Sequence, residues 1–269
     1  MQQFVNVPEI LLATVRNQRM KAAITANEPG ILQGSELLAA KAGELGLEII
    51  VHAASGAPLA AGQSIASLQG DPLQIVQGED QLLGLIAKAS GIATMAARAV
   101  RLAGRVRVVS GGWKKIPREL KDAARVALAA GGVGMRILDQ PFLYLDKNYL
   151  RIFGSLEAMF QAAAALPDRA VSVQIRGETA SIAAEAVAAA QLGARIVMVD
   201  TGEVADLRAC AARLREADLR DRVLLAFAGG VKVDELPGLQ KEDLDIVDIG
   251  RAILDAPLLD FRYDAIKEH

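Results

Sequence analysis

Four apolar runs in the second half of this chain end in residues whose types can do chemistry. RIVMV is followed by Asp200-Thr201-Gly202, RVLLAF by Ala228-Gly229-Gly230 and DIVDI by Gly250-Arg251, while VSVQI carries Gln174 and leads into Arg176-Gly177. Glycine lets backbone N–H groups approach an anion closely, so Gly229, Gly230 and Gly250 suit a phosphate; each equally suits a tight turn. Asp200 can accept hydrogen bonds from sugar hydroxyls or hold a metal ion, or it can cap the helix that follows. The run WKKIPRELK (Trp113–Lys121) gathers Lys114, Lys115, Arg118 and Lys121, either as a solvated face or as a basic loop at a strand end. Histidine, the commonest general base, occurs only as His52 and His269, so chemistry must rest on carboxylates, lysines, arginines and backbone groups. His52 lies in the apolar run EIIVHAA, where packing or a hydrogen bond is expected of it. Cys210 lies in an amphipathic helical stretch, where an inert buried thiol is expected.

These residues need elements to position them. From Arg105 onward, strands are expected at Arg105–Val109, Val133–Leu138, Val171–Ile175, Arg195–Val199, Arg222–Phe227 and Asp245–Ile249. Helices are expected between them at Glu119–Ala130, Thr179–Gln191 and Val204–Ala217. Short apolar strands alternating with helices argue for a parallel α/β sheet or barrel, and a barrel carries its function at the C-terminal ends of its strands. The first hundred residues have another rhythm. Short strands at Lys21–Ala26, Leu47–Ala53 and Ser64–Leu68 accompany a helix near Ser35–Gly43. A longer helical stretch follows from Glu79 to about Leu102, with a break expected at Ser90-Gly91.

Composition bounds the rest. A chain of 269 residues with 52% hydrophobic and 23% charged residues is globular, not disordered. A net charge of −2 gives no global field for nucleic acid or anionic membrane. A single cysteine excludes an intrachain disulfide and a Cys-rich zinc site. The opening MQQFVNVPEILLATV lacks the pattern of a signal peptide, and charges are expected to break every apolar run short of a membrane span; a cytoplasmic protein is expected.

The order of motifs resembles the quinolinate phosphoribosyltransferase family from about Lys21 to Asp264. ITANEPGILQG is similar to the opening of that family's N-terminal domain. GEDQLLGLIAKASGIATMAARAV is similar to its long helix, with SGIAT (Ser90–Thr94) the most specific piece. Pro117 and Arg136, with Gly131-Gly132 between them, match the spacing from the family's TRKTxPGLR to its GGGxNHR motif, and LDKNY (Leu145–Tyr149) falls where the family has KDNH. The resemblance implies an α/β sandwich domain over residues 1–104 and an incomplete α/β (TIM-like) barrel over 105–269, the extreme C-terminus packing back on the first domain. It implies a homodimer, and transfer of phosphoribosyl from phosphoribosyl pyrophosphate, with Mg²⁺ and no organic cofactor, to the ring nitrogen of quinolinate.

The departures from the family lie in the site. Trp113 stands where the family has the arginine of TRKT, while Lys114 keeps its lysine. Met135 replaces the histidine of the HR pair and Arg136 is kept. Asp146 and Tyr149 replace the lysine and histidine of KDNH. Asp80 stands for the arginine given across the dimer, and Gln174 for the second glutamate of a VEVE-like strand. Asp200, Gly229, Gly230 and Gly250 match the positions that hold the phosphorylated ribose. On this reading Lys114, Arg136 and Asp200 are the catalytic candidates. Trp113, Met135, Asp146, Tyr149, Gln174 and Asp80 are the substrate-binding candidates, and no protein metal site is assigned. A carboxylate beside Asp80 or Asp146 meets repulsion in place of a charge-assisted hydrogen bond of about 1.5–3 kcal/mol. The resemblance thus implies a phosphoribosyltransferase-like enzyme with an aromatic nitrogen or amine acceptor other than quinolinate. The alternatives are a repurposed phosphate-binding partner subunit and a lyase or transferase using Lys114 as a base or Schiff-base nucleophile.

Overall fold

The computed structural model describes residues 7–266, and of Trp113 only the backbone; His269 and the Trp113 side chain lie outside what is described. In chain order the elements begin with α1 (Val7–Leu11), β1 (Met20–Ala26), β2 (Gly30–Ile31), α2 (Ser35–Glu44), β3 (Glu48–Val51), β4 (Pro58–Leu59), β5 (Ser64–Gly70) and α3 (Pro72–Ala103). Then come β6 (Arg107–Val109), α4 (Lys121–Ala130), β7 (Phe142–Leu145), α5 (Lys147–Phe153), α6 (Leu156–Ala163), β8 (Ala170–Ile175) and α7 (Ile182–Gln191). The last are β9 (Ile196–Asp200), α8 (Val204–Glu216), β10 (Leu224–Ala228), α9 (Leu236–Leu239), β11 (Ile246–Asp248), α10 (Arg251–Leu254) and β12 (Phe261–Ile266).

Two compact units result. One holds the chain up to Ala97, Glu119–Gly132 and the residues from Asp255 on; the other holds Arg98–Arg118 and Val133–Leu254. This division differs from a cut after residue 104 in that α4 falls in the first unit; the C-terminal strand lies there too, where the extreme C-terminus is expected to pack. There the sheet runs β12-β1-β5-β3, and every pairing is antiparallel. Alternation sets its faces: Ala22, Ile24 and Ala26 on β1 are buried and join Ile65 and Leu68 of β5, Leu38 of α2, and Leu82 and Ile86 of α3 in one core.

Helix α3 is continuous through Ser90-Gly91, where a break is expected from sequence. The side chains of SGIAT explain why it persists. Ser90 Oγ accepts the Gln33 N–H at 2.8 Å, and Thr94 Oγ1, one turn on, accepts the Ile31 N–H at 2.9 Å. Gly91 lies against the backbone of Pro257, where a Cβ would come within 1.9 Å of the carbonyl oxygen, so glycine serves close packing and not a break. By length and apolarity α3 alone among the described helices would suffice to cross a membrane, contrary to the expectation that charges interrupt every such run. Its apolar residues Leu82, Ile86, Ala93 and Ala96 are instead buried in protein.

The second unit is a six-stranded parallel sheet in the order β6-β11-β10-β9-β8-β7, curled as an open barrel. On its free side β6 makes only a bridge, Val109 to Gly134. The strand expected over Val133–Leu138 is therefore absent. Gly132 at φ +82° bends the chain, and the Arg107 guanidinium takes the Arg136 carbonyl at 2.8 Å, an acceptor that a neighbouring strand would use. The opposite edge of the sheet is β7, the run FLYL, paired with β8.

One rule places the site residues. Ile196 and Met198 of β9, Ala226 and Ala228 of β10, Ile246 of β11, and Phe142 and Tyr144 of β7 pack together as the barrel interior. A period of two carries each row inward to the next such position at or just past the strand end: Asp200, Asp248 and Asp146.

Candidate active site

A cavity of about 300 Å³ opens among these strand ends. Its lining includes the rings of Phe142, Tyr144 and Tyr149, the thioethers of Met135 and Met198, and the charged groups of Lys114, Asp146 and Asp248. The phenol of Tyr144 donates to the Met198 sulfur at 3.2 Å; burial and the facing carboxylates of Asp248, Asp200 and Asp146 push its ionisation well up, so it stays a neutral wall. Lys114 Nζ stands 5.0 Å from the centre of the Tyr144 ring and 3.8 Å from Asp146 Oδ2. Its side chain is 55% exposed, so the burial that a Schiff-base or general-base lysine beside Lys115 and Arg136 requires is missing. Arg136 packs over the Phe142 ring, with its guanidinium carbon 5.5 Å from the ring centre.

Asp146 divides its carboxylate between two tasks. Oδ1 caps α5 by accepting the Asn148 N–H at 3.0 Å, and Oδ2 faces Lys114. Asp248 is held differently. Its Oδ1 accepts the Gly111 N–H at 2.7 Å, and Oδ2 has no hydrogen-bond partner among the described residues. Burial pushes this carboxyl up to about 6; the Asp200 charge adds to the rise, while the Gly111 N–H and the Lys114 and Lys115 charges oppose it.

Asp200 does not cap a helix, since α8 starts from Glu203. It receives the Gln174 amide on Oδ2 and pairs with Arg176 Nη1 at 3.6 Å. Burial raises its carboxyl; Arg176, Lys147, the Gln174 bond and Lys115 pull it back. Gln174 is buried, and its carbonyl takes the Lys147 N–H at 2.9 Å. It is therefore a positioning residue for Asp200 and the start of α5, not an acceptor contact. Asp80 lies exposed on α3, in the first unit.

The phosphate-turn glycines have separate explanations. A Cβ on Gly229 (φ +111°) would come within 2.2 Å of the Gly202 nitrogen, so this glycine lets the loops after β9 and β10 touch backbone to backbone. Gly250 makes the same kind of approach to Gly112, whereas a Cβ on Gly230 (φ +88°) would meet open space. His52 Nε2 is paired with Ser67 Oγ at 2.7 Å, and the buried Cys210 thiol is pushed up to about 12 by its burial, so neither belongs to the site.

The loop that carries Arg176 is fixed from beneath. Glu185 on α7 is fully buried and accepts the N–H groups of Gly177 at 2.7 Å and Thr179 at 2.6 Å and the Thr179 hydroxyl at 2.9 Å. Glu185→Ala strands these donors, and a loss of about 2–3 kcal/mol in urea unfolding is expected. A loss below about 0.5 kcal/mol, the range of ordinary surface changes, would show that the loop holds itself.

Motif matching misses Tyr144, Met198, Asp248 and Arg176. The first three are signalled by alternation alone: the inward parity of FLYLD, IVMVD and IVD points each into the barrel.

The chain belongs to the quinolinate phosphoribosyl transferase family, whose C-terminal domain matches residues 92–264 and whose N-terminal domain matches residues 10–90. It is 27% identical over 241 residues to the probable carboxylating nicotinate-nucleotide pyrophosphorylase of Methanothermobacter thermautotrophicus, covering 87% of this chain and 84% of that protein. It is 29% identical over 245 residues to the carboxylating nicotinate-nucleotide pyrophosphorylase of Homo sapiens, covering 90% and 80%. Among solved structures, the nicotinate-nucleotide pyrophosphorylase of Pyrococcus furiosus superposes with a TM-score of 0.80 at 21% identity, over 96% of this chain and 72% of that one. The Francisella tularensis protein of the same name gives a TM-score of 0.79 at 18% identity, over 98% and 92%. These structural likenesses establish the fold.

Proposed function

We propose that this protein transfers the phosphoribosyl group of phosphoribosyl pyrophosphate to a flat nitrogen acceptor that is not quinolinate. The observation that carries this is the lining of the cavity: three aromatic rings and two methionines around Asp146 and Asp248, with Lys114 as the one cation among the described lining residues. A dicarboxylate placed there would face two carboxylates and would gain at most one charge-assisted contact. A neutral or cationic ring would stack on the aromatic wall and meet acceptors where it carries N–H groups.

The donor end keeps what a phosphorylated sugar needs. Asp200 leaves Oδ1 without a hydrogen-bond partner among the described residues, open to ribose hydroxyls. Arg176, Lys147 and Lys115 supply positive potential around it. Charge builds on the leaving diphosphate as the sugar carbon becomes cation-like, and fixed cations at the rim lower that barrier. Among the described residues no cluster of three His, Cys, Asp or Glu side chains is placed to cage a metal. Mg²⁺ commonly takes one or two carboxylates plus substrate phosphates, and Asp200, with an open Oδ1, would be its protein ligand. Bound there, the ion would neutralise diphosphate charge.

Thermal melting tests the proposal. Phosphoribosyl pyrophosphate with Mg²⁺, at one hundred times its Kd, is expected to add about 2.7 kcal/mol of stability, read as a clear rise in Tm; quinolinate is expected to add none. Stabilisation by quinolinate and none by phosphoribosyl pyrophosphate would reverse the assignment.

A further inference from the structure

Asp248 has a place in the fold that phosphate binding does not explain. It ends β11, separated from Asp200 on β9 by the whole of β10. One of its oxygens is committed to the Gly111 N–H, and the other has no partner among the described residues although it belongs to a mostly enclosed side chain on an apolar, aromatic cavity. Two other polar groups of the wall are engaged, the Tyr144 hydroxyl with Met198 and Asp146 with Asn148 and Lys114, while Tyr149 is exposed and its hydroxyl can be hydrated. A carboxylate oxygen left open to such a space calls for a ligand N–H.

We propose that Asp248 is the catalytic base of this site and that the acceptor is a neutral, flat heteroaromatic carrying a ring N–H. The inference rests on the phosphoribosyl-transfer reading above. As the acceptor nitrogen bonds to C1 of the ribose, the bond from C1 to the diphosphate oxygen breaks and its electron pair leaves with the diphosphate. The ring N–H proton passes to Asp248 Oδ2 and from there to water. A pyridine nitrogen has no such proton to lose, so this base suits an azole or lactam ring. The charged and titratable groups facing Asp248 are Asp200, Lys114, Lys115 and Tyr144. Because burial holds the carboxyl near 6, it is a base at neutral pH and close to the range where proton transfer is efficient.

The test uses benzimidazole as the N–H probe and phthalate as a flat dicarboxylate, titrated by calorimetry into the parent chain and into Asp248→Asn. The parent is expected to bind benzimidazole and not phthalate, and the variant to bind benzimidazole at least tenfold more weakly. With phosphoribosyl pyrophosphate and benzimidazole, diphosphate release by the parent is expected to rise with pH to a plateau above about pH 6. Asp248→Asn is expected to lose that pH dependence and about 100-fold in kcat while phosphoribosyl pyrophosphate still raises its Tm. Equal benzimidazole binding by parent and variant, tighter binding of phthalate than of benzimidazole, or no benzimidazole binding by the parent overturns the proposal. Loss of the phosphoribosyl pyrophosphate effect in the parent overturns the transferase reading separately, since the binding comparison needs no donor.

Discussion

Asp248→Asn is expected to be more stable than the parent chain at pH 7.5, by about 3 kcal/mol, and to lose this advantage near pH 4. Its carboxyl is pushed from 3.8 up to about 6 in the folded state. At about 1.4 kcal/mol for each pH unit between the two values, ionised Asp248 opposes folding by about 3 kcal/mol. The sign follows from proton binding. Between pH 4 and 6 the folded chain holds this proton and the unfolded chain has released it. The contribution to stability is therefore complete below about pH 4 and is lost as pH rises through 6. Asparagine keeps an oxygen for the Gly111 N–H and carries no charge, so the variant should lack this slope. Urea unfolding at pH 4.5, 6 and 7.5 measures it. A variant no more stable than the parent at pH 7.5 would mean that a charge near Asp248 already compensates its burial. Lower activity joined to higher stability is the mark of a group kept for chemistry.

Asp200→Ala is expected to lower kcat/KM for phosphoribosyl pyrophosphate by about 100- to 1000-fold, the loss of two charge-assisted bonds to ribose hydroxyls at about 1.5–2 kcal/mol each. Its effect on folding should be small, because burial already raises this carboxyl and its partner Arg176 is 37% exposed and free to rehydrate. Steady-state kinetics on the variant, paired with its Tm, separates the two. A Tm loss as large as the kinetic loss would make Asp200 a structural residue that holds the Arg176 loop.

The two variants act at the ends of β11 and β9, on either side of β10, and alternation along short strands puts them there. Much of this was legible in the sequence. The apolar runs of β8, β9 and β10, the turns after them, and Asp200 at a strand end follow from period and punctuation alone. The strand β7 was harder to see because FLYL is short and lies against a motif that draws attention to Asp146 and Tyr149. The stretch Val133–Leu138 looks like a strand because it is apolar, yet Gly132 and the Arg107 side chain turn it into an irregular wall. Gly91 reads as a helix breaker until the Pro257 backbone is seen against it. Gln174 reads as a substrate contact because it stands where the family has a glutamate; only three-dimensional contact shows its amide spent on Asp200 and Lys147. Asp248 was hidden for the opposite reason. Surrounded by apolar residues and followed by a glycine turn, it resembles a solvated strand end, and its value as a site residue depends on an oxygen left without a partner among the described residues.

In the proposed function this family member keeps the phosphorylated ribose and exchanges the acceptor. The most direct measurement incubates the protein with phosphoribosyl pyrophosphate, Mg²⁺ and quinolinate labelled at the carboxyl lost on decarboxylation, and follows donor binding and labelled carbon dioxide in one sample. The account predicts saturable binding of phosphoribosyl pyrophosphate with no labelled carbon dioxide above the protein-free control. Release of labelled carbon dioxide in step with nicotinate mononucleotide would contradict it and return Asp146 and Asp248 to the wall of a quinolinate site.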